Sequence, residues 1–304
     1  LERAIVASTW CLSLCDQHPG RFDEIAAVWC HATVVQCAPS FPSISRQKIM
    51  TMVDDIEKRM RRLGVGRRRA VFIRWQVTNE MGDLDSAIEA FDRWRTMPAG
   101  DWDVCNACQT DCEVDFLLTI GEYEEALRSA QPILTGRLTC AEVPHRTYSR
   151  LLLPLLEMGR HEQAASVNRK GYRLVRSNIG TLDWVGPYMI YRAATNGPAA
   201  AFPVLERHLP LAAEVLEPAT RFRFFLAAWV LMEIAARKRR EVIKLHVPKT
   251  FAVPSHNGQY PVVELVQHFR HQATSIAERF RLRNRSHHHD RLIADALRWV
   301  EWRA

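Results

Sequence analysis

Five soft-ligand side chains fall between positions 105 and 145: Cys105, Cys108, Cys112, Cys140 and His145. Cys105-x2-Cys108 has the two-residue gap that lets neighbouring cysteines fill adjacent corners of a tetrahedral zinc site. Cys140-x4-His145 supplies a second pair, so Cys105, Cys108, Cys140 and His145 form the expected ligand set. Cys112, four residues beyond Cys108, competes as a ligand, and Asp111 offers an oxygen. Four protein ligands leave no position for water, which makes a structural zinc the expected cofactor. Three ligands with Glu113 or Glu142 as a base would instead allow metal-assisted hydrolysis. Without a metal, the same residues are three cysteines and a histidine packed at helix junctions. A redox Cys-x-x-Cys usually accompanies a βαβ pattern, which is absent here.

The other four cysteines, Cys11, Cys15, Cys30 and Cys37, lie on two N-terminal helical patterns and read as small apolar core residues. No phosphate-binding glycine loop, H-E-x-x-H or G-x-S-x-G occurs. The run His287-His288-His289 points its rings in different directions on a helix and marks a helix start or a basic surface. Catalysis therefore lacks a recognisable motif, and a metal-dependent enzyme on a helical scaffold stands as the alternative to a binding role.

The elements that must position the cysteines form a repeat. Asn79-Glu80-Met81-Gly82-Asp83-Leu84-Asp85-Ser86-Ala87 is echoed by Thr119-Ile120-Gly121-Glu122-Tyr123-Glu124-Glu125-Ala126 and by Glu157-Met158-Gly159-Arg160-His161-Glu162-Gln163-Ala164. The glycines are 39 and 38 residues apart. Each follows an apolar helix and opens a second one, with a small Ala five residues on. Gly permits the sharp turn and Ala lets the two helices approach closely. The 31 residues between Cys108 and Cys140 then correspond to one helix–turn–helix unit. Both ligand pairs fall in successive connections between units, on one edge of a stack, and should come within reach of each other.

This pattern resembles the tetratricopeptide (TPR) repeat in its G-x-Y-x-x-A turn and second helix, over residues 67–177. The period exceeds the usual one, and Leu84 and His161 stand where Tyr is expected. The resemblance implies an all-α fold, an α-solenoid of antiparallel helix hairpins with C-terminal capping helices. It also implies an interaction scaffold that takes a protein or peptide in a concave groove lined by the first helix of each pair. Arg74, Asn79, Asp115, Arg150 and Tyr191 are the groove candidates.

Three segments are expected: an N-terminal hairpin and connecting helix over 1–64, the repeats over 65–240, and an extended segment with a helical cap over 241–304. Pro203 and Pro210 predict a kinked or broken helix before Leu216. Thr220 to Lys238 has a wide apolar face, and 241–259 breaks the helical style with Pro248, Pro254 and Gly258.

The net charge is +7, unevenly placed: from Pro218 onward 16 Lys/Arg face 7 Asp/Glu. Eight basic residues also fall between Lys58 and Arg74. Such clusters attract nucleic acid or an acidic protein surface, and a nucleic-acid-associated protein is the third reading. A solvated basic face is the simpler account. No apolar run approaches the ~20 residues needed to span a bilayer, and no secretory signal pattern opens the chain. The chain starts on Leu1 and not Met, which leaves room for an upstream segment. A cytoplasmic protein without membrane contact is expected.

Overall fold

A computed structural model describes residues 1–177, 179–248 and 251–302. Among the described residues the protein is all-α, 74% helical in 14 helices, with almost no sheet. It divides into two compact units, Leu1–Val104 with Arg279–His288, and Cys105–Glu278 with His289–Ala304.

The first unit begins with helices α1 (Glu2–Gln17), α2 (Glu24–Cys37) and α3 (Arg46–Leu63). Asp23 caps α2 by accepting the Ala26 N–H at 2.9 Å, and Ser45 caps α3 by accepting the Lys48 N–H at 3.2 Å. On α3 the residues Ile49, Met52, Val53, Ile56 and Met60 are buried, the stripe expected from helical spacing. They join Ile5 and Leu12 of α1 and Val28 and Val35 of α2 in one core. Two more helices, α4 (Arg67–Glu80) and α5 (Leu84–Thr96), pack on each other through aromatic rings. The Trp75 and Phe91 centroids are 4.8 Å apart and those of Phe72 and Trp94 5.7 Å.

The basic cluster between Lys58 and Arg74 is largely tied up within this unit. Arg59 pairs with Asp16, Glu24 and Asp55, Arg62 with Glu24, and Arg74 with Asp54 and Glu57. Arg68 pairs with Asp103 at 2.5 Å and lies over the Trp94 ring.

The second unit opens with α6 (Asn106–Thr119), α7 (Tyr123–Leu134), α8 (His145–Glu157) and α9 (His161–Val175). The pairs α6–α7 and α8–α9 are in extensive contact, and α8 also touches α6 and α7. Gly121 and Gly159, which turn the chain within each pair, have φ of +84° and +71°. No neighbouring atom crowds either one, so glycine is needed there for its backbone conformation.

Next come α10 (Gly186–Asn196), α11 (Phe202–Glu214) and α12 (Pro218–Arg237). Of the kink or break expected at Pro203 and Pro210, the break does not occur: α11 is continuous. Pro203 lies in its first turn, where no N–H is required, and Pro210 is accommodated inside it. Helix α12 is apolar on nearly every side and is correspondingly buried from Ala219 to Ala235, with Phe222, Phe224, Trp229 and Leu231 in the core. The stretch expected to be extended folds back on itself. Strand β1 (Val242–Lys244) pairs antiparallel with β2 (Gln259–Pro261), with Ile243 opposite Tyr260 and both buried. Last are α13 (Val262–Asn284) and α14 (His288–Leu297). Of the histidine run, His287 is exposed while His289 is buried with its ring 4.9 Å from Phe222. No described helix is long and apolar enough to cross a membrane.

Candidate metal centre

Cys105 is the N-cap of α6 and Cys108 lies in its first turn. Cys140 sits in the connection between α7 and α8. A small apolar cluster holds that connection against α6: Ala107, Ile133 and Val143 are buried together, with Cys108, Leu138 and Cys140 packed on them. Two backbone hydrogen bonds shape it, Leu138 N–H to Pro132 O at 2.9 Å and Cys140 N–H to Val143 O at 3.0 Å.

The result brings three thiols together. The Sγ atoms of Cys105, Cys108 and Cys140 all lie within 4.8 Å of one another, and those of Cys108 and Cys140 are 3.4 Å apart. Zinc–thiolate bonds of ~2.3 Å in a tetrahedron place sulfurs about 3.8 Å apart, so the three fit three corners of such a site. Backbone donors face two of the sulfurs. Cys108 N–H lies 3.4 Å from Cys105 Sγ, and Glu142 N–H lies 3.4 Å from Cys140 Sγ. The first of these bonds favours thiolate at Cys105, the form that binds metal.

The charges follow from these contacts. Partial burial acts to raise the Cys105 thiol, but donors from Cys108, Cys140 and Ala107 outweigh it and hold its pKa below the ordinary value. Burial, together with the neighbouring thiols, pushes Cys108 well above its ordinary range. One sulfur of the cluster thus ionises readily while its neighbours donate to it, and a bound cation would take the place of those protons.

His145 and Cys112 lie apart from the three. His145 is the first residue of α8, and its ring packs on Trp184 with centroids 5.2 Å apart. The backbone bond from Cys140 N–H to Val143 O lies between Cys140 and the start of α8, where His145 begins a new helix. Burial lowers the His145 pKa. Trp184 is itself tied to α8, because Ser149 Oγ donates to its carbonyl at 2.8 Å. Cys112 is one turn further along α6 than Cys108, a rise of about 6 Å. It is buried, and its sulfur is 3.8 Å from Arg146 Nη2.

Asp111 is also occupied elsewhere. This fully buried carboxylate accepts from Thr147 Oγ1 at 2.6 Å and forms ion pairs with Arg146, whose Nε lies 3.0 Å away, and with Arg150. Arg150 also reaches Asp115 at 3.0 Å. Burial acts against the Arg150 charge, but Asp111 and Asp115 raise its pKa above the ordinary value. The sequence carries a signal for this network. Asp111 and Asp115 on α6 have the same four-residue spacing as Arg146 and Arg150 on α8, so two opposite-charge pairs can meet across facing helices.

The remaining groove candidates are varied in setting. Arg74 is bound to Asp54 at 2.6 Å and Glu57 at 2.7 Å. Asn79 is partly buried near the end of α4, and Tyr191 is buried on α10. Asp115 and Arg150 are bound to each other. Compared with known proteins, the chain matches no family model, no curated protein and no solved structure.

Proposed function

We propose that this chain is a TPR-like helical-repeat scaffold for a protein or peptide, in which Cys105, Cys108 and Cys140 hold a structural zinc ion. The observation that carries the reading is the convergence of three thiols from two connections that lie one repeat unit apart in the sequence. The turns at Gly121 and Gly159 and the contacts of α8 with both α6 and α7 support a stacked arrangement of helix pairs. In this reading the ion staples the start of α6 to the α7–α8 connection, an edge otherwise held by the small cluster around Val143. The fourth position goes to water or to a further side chain, and His145 joins only by leaving Trp184.

Three thiols leave the fourth position open, so the structural reading rests on where the cluster sits, joining a helix start to the connection between two helix pairs. A nucleic-acid role draws less support, since Arg59, Arg62, Arg68 and Arg74 are engaged by carboxylates of the same unit.

Metal analysis of the purified protein tests the reading. About one zinc per chain is expected, and Cys108→Ala should lose it and melt at a lower temperature. Metal-free protein whose Cys108→Ala variant melts unchanged would overturn the zinc assignment. Loss of a turnover on chelation, with melting and helicity unchanged, would make the site catalytic instead.

A further inference from the structure

A cleft of about 880 Å³ opens in the first unit, between the entry to α3 and the segment at the end of α13. Ser43, Ser45 and Arg46 line one wall, and Arg279, Arg283 and Arg285 line the other. Asp54 is the one carboxylate in the lining, and Arg74 engages it at 2.6 Å. Arg46 is likewise balanced by Asp83 at 2.5 Å.

The other three arginines have no such partner. Arg283 donates to backbone carbonyls, from Nη2 to Pro39 at 2.6 Å and from Nη1 to Ile44 at 3.2 Å. These bonds fix its position, while Glu80 is near enough to offset part of its charge. Arg279 and Arg285 are exposed and form no ion pair with any described carboxylate. A fourth contribution comes from α3 itself, an 18-residue helix. Ser45 satisfies the Lys48 N–H, and the N–H groups of Arg46 and Gln47 before it have no acceptor among the described residues. Two backbone donors and the positive end of the helix dipole thus add to three guanidiniums at one cleft. Met50 and Leu282 give the same cleft an apolar part.

We propose that this cleft binds a small anion carrying two adjacent phosphates, either free or as the end of a small organic ester. Guanidinium groups and helix N–H donors match phosphate oxygens in charge and geometry. Three guanidiniums on one wall and the N-terminal N–H groups of α3 on the other suit an anion with charge at two positions, and the volume is larger than one phosphate requires.

Calorimetric titration of the full chain at about 0.15 M salt, an ionic strength that screens loose surface attraction, tests this with inorganic pyrophosphate and with ADP. Pyrophosphate is expected to bind one per chain with a Kd below about 100 µM. Tighter binding of ADP assigns the cleft to the ester, and tighter binding of pyrophosphate assigns it to the free anion. Arg279→Gln/Arg285→Gln should weaken binding at least about tenfold, the scale of losing hydrogen bonds to a charged group. Both residues are exposed and unpaired, so melting of the ligand-free variant should not change. Arg128→Gln/Arg173→Gln, which removes two exposed charges far along the sequence, should bind as the parent does. The proposal is overturned if the parent binds neither probe, or if the two double variants weaken binding equally.

Discussion

At the scale of single residues, the cysteines divide by what surrounds their sulfurs. Cys105, Cys108 and Cys140 share one another and face N–H donors, whereas Cys112 faces a guanidinium inside a buried ion network. Two predictions belong here. If three thiolates are the ligands that matter, His145→Ala keeps the metal, and the zinc-to-protein ratio stays within error of the parent; a ratio that drops to zero would place the imidazole among the ligands. The second concerns Asp111, whose carboxylate neutralises Arg146 and Arg150 out of water. Asp111→Asn should cost about 1–3 kcal/mol, since it takes the carboxylate from Arg146 while Arg150 keeps Asp115. The urea midpoint of the second unit measures this, and an unmoved midpoint would mean that the network is replaceable. The sequence suggested Asp111 as a metal ligand and Arg150 and Asp115 as groove residues. It could not show that the three meet, because their pairing depends on α6 and α8 lying face to face.

Helices show a different balance. Apolar spacing and turn residues marked them well: the buried stripe of α3, the turns at Gly121 and Gly159 and the long apolar α12 all lie where the sequence places them. The prolines do not break the chain, since Pro203 and Pro210 both sit within a continuous α11 that packs against α10 and α12. Local propensity disfavoured the helix, and tertiary contact overrode it. Gly171 of α9 carries a clear element-scale prediction. A Cβ there would lie 2.0 Å from the Tyr188 hydroxyl and 2.8 Å from Tyr148 Cβ. Gly171→Ala should therefore lower stability by about 1–3 kcal/mol through overpacking, although alanine is the better helix former by about 1 kcal/mol. Thermal melting decides it, and a stabilised variant would show that α8, α9 and α10 can move apart at no cost.

At the scale of the whole chain, buried histidines set the response to acid. Burial lowers the pKa of His31 in the first unit and of His208 and His268 in the second. His31 Nδ1 lies 2.9 Å from Ser8 Oγ, and His208 Nδ1 donates to the Val204 carbonyl at 2.8 Å. The unfolded chain takes up protons at these sites near the ordinary value of about 6.5, while the folded chain resists until lower pH. Stability is thus fully present above about pH 6.5 and falls as pH drops toward 5, by up to about 1.4 kcal/mol per pH unit for each histidine still neutral when folded. Urea midpoints between pH 7.5 and 5 should show the decline, and His208→Gln should flatten it. A flat profile in the parent would mean that these rings charge freely in the folded state.

Taken by itself, the amino-acid sequence determined the helical class, the glycine turns and the gathering of Cys105, Cys108 and Cys140, because helix periodicity and the spacing of turn glycines are local properties with long-range consequences. Tertiary structure alone decided the rest. Whether a side chain five residues from a ligand joins the cluster or turns to a tryptophan depends on how one connection bends, and whether a charge is free depends on which helix faces it. For the same reason the cysteine cluster could be foreseen from spacing, whereas the arginine cleft could not: its two walls are separated by more than 200 residues and meet only in the folded chain.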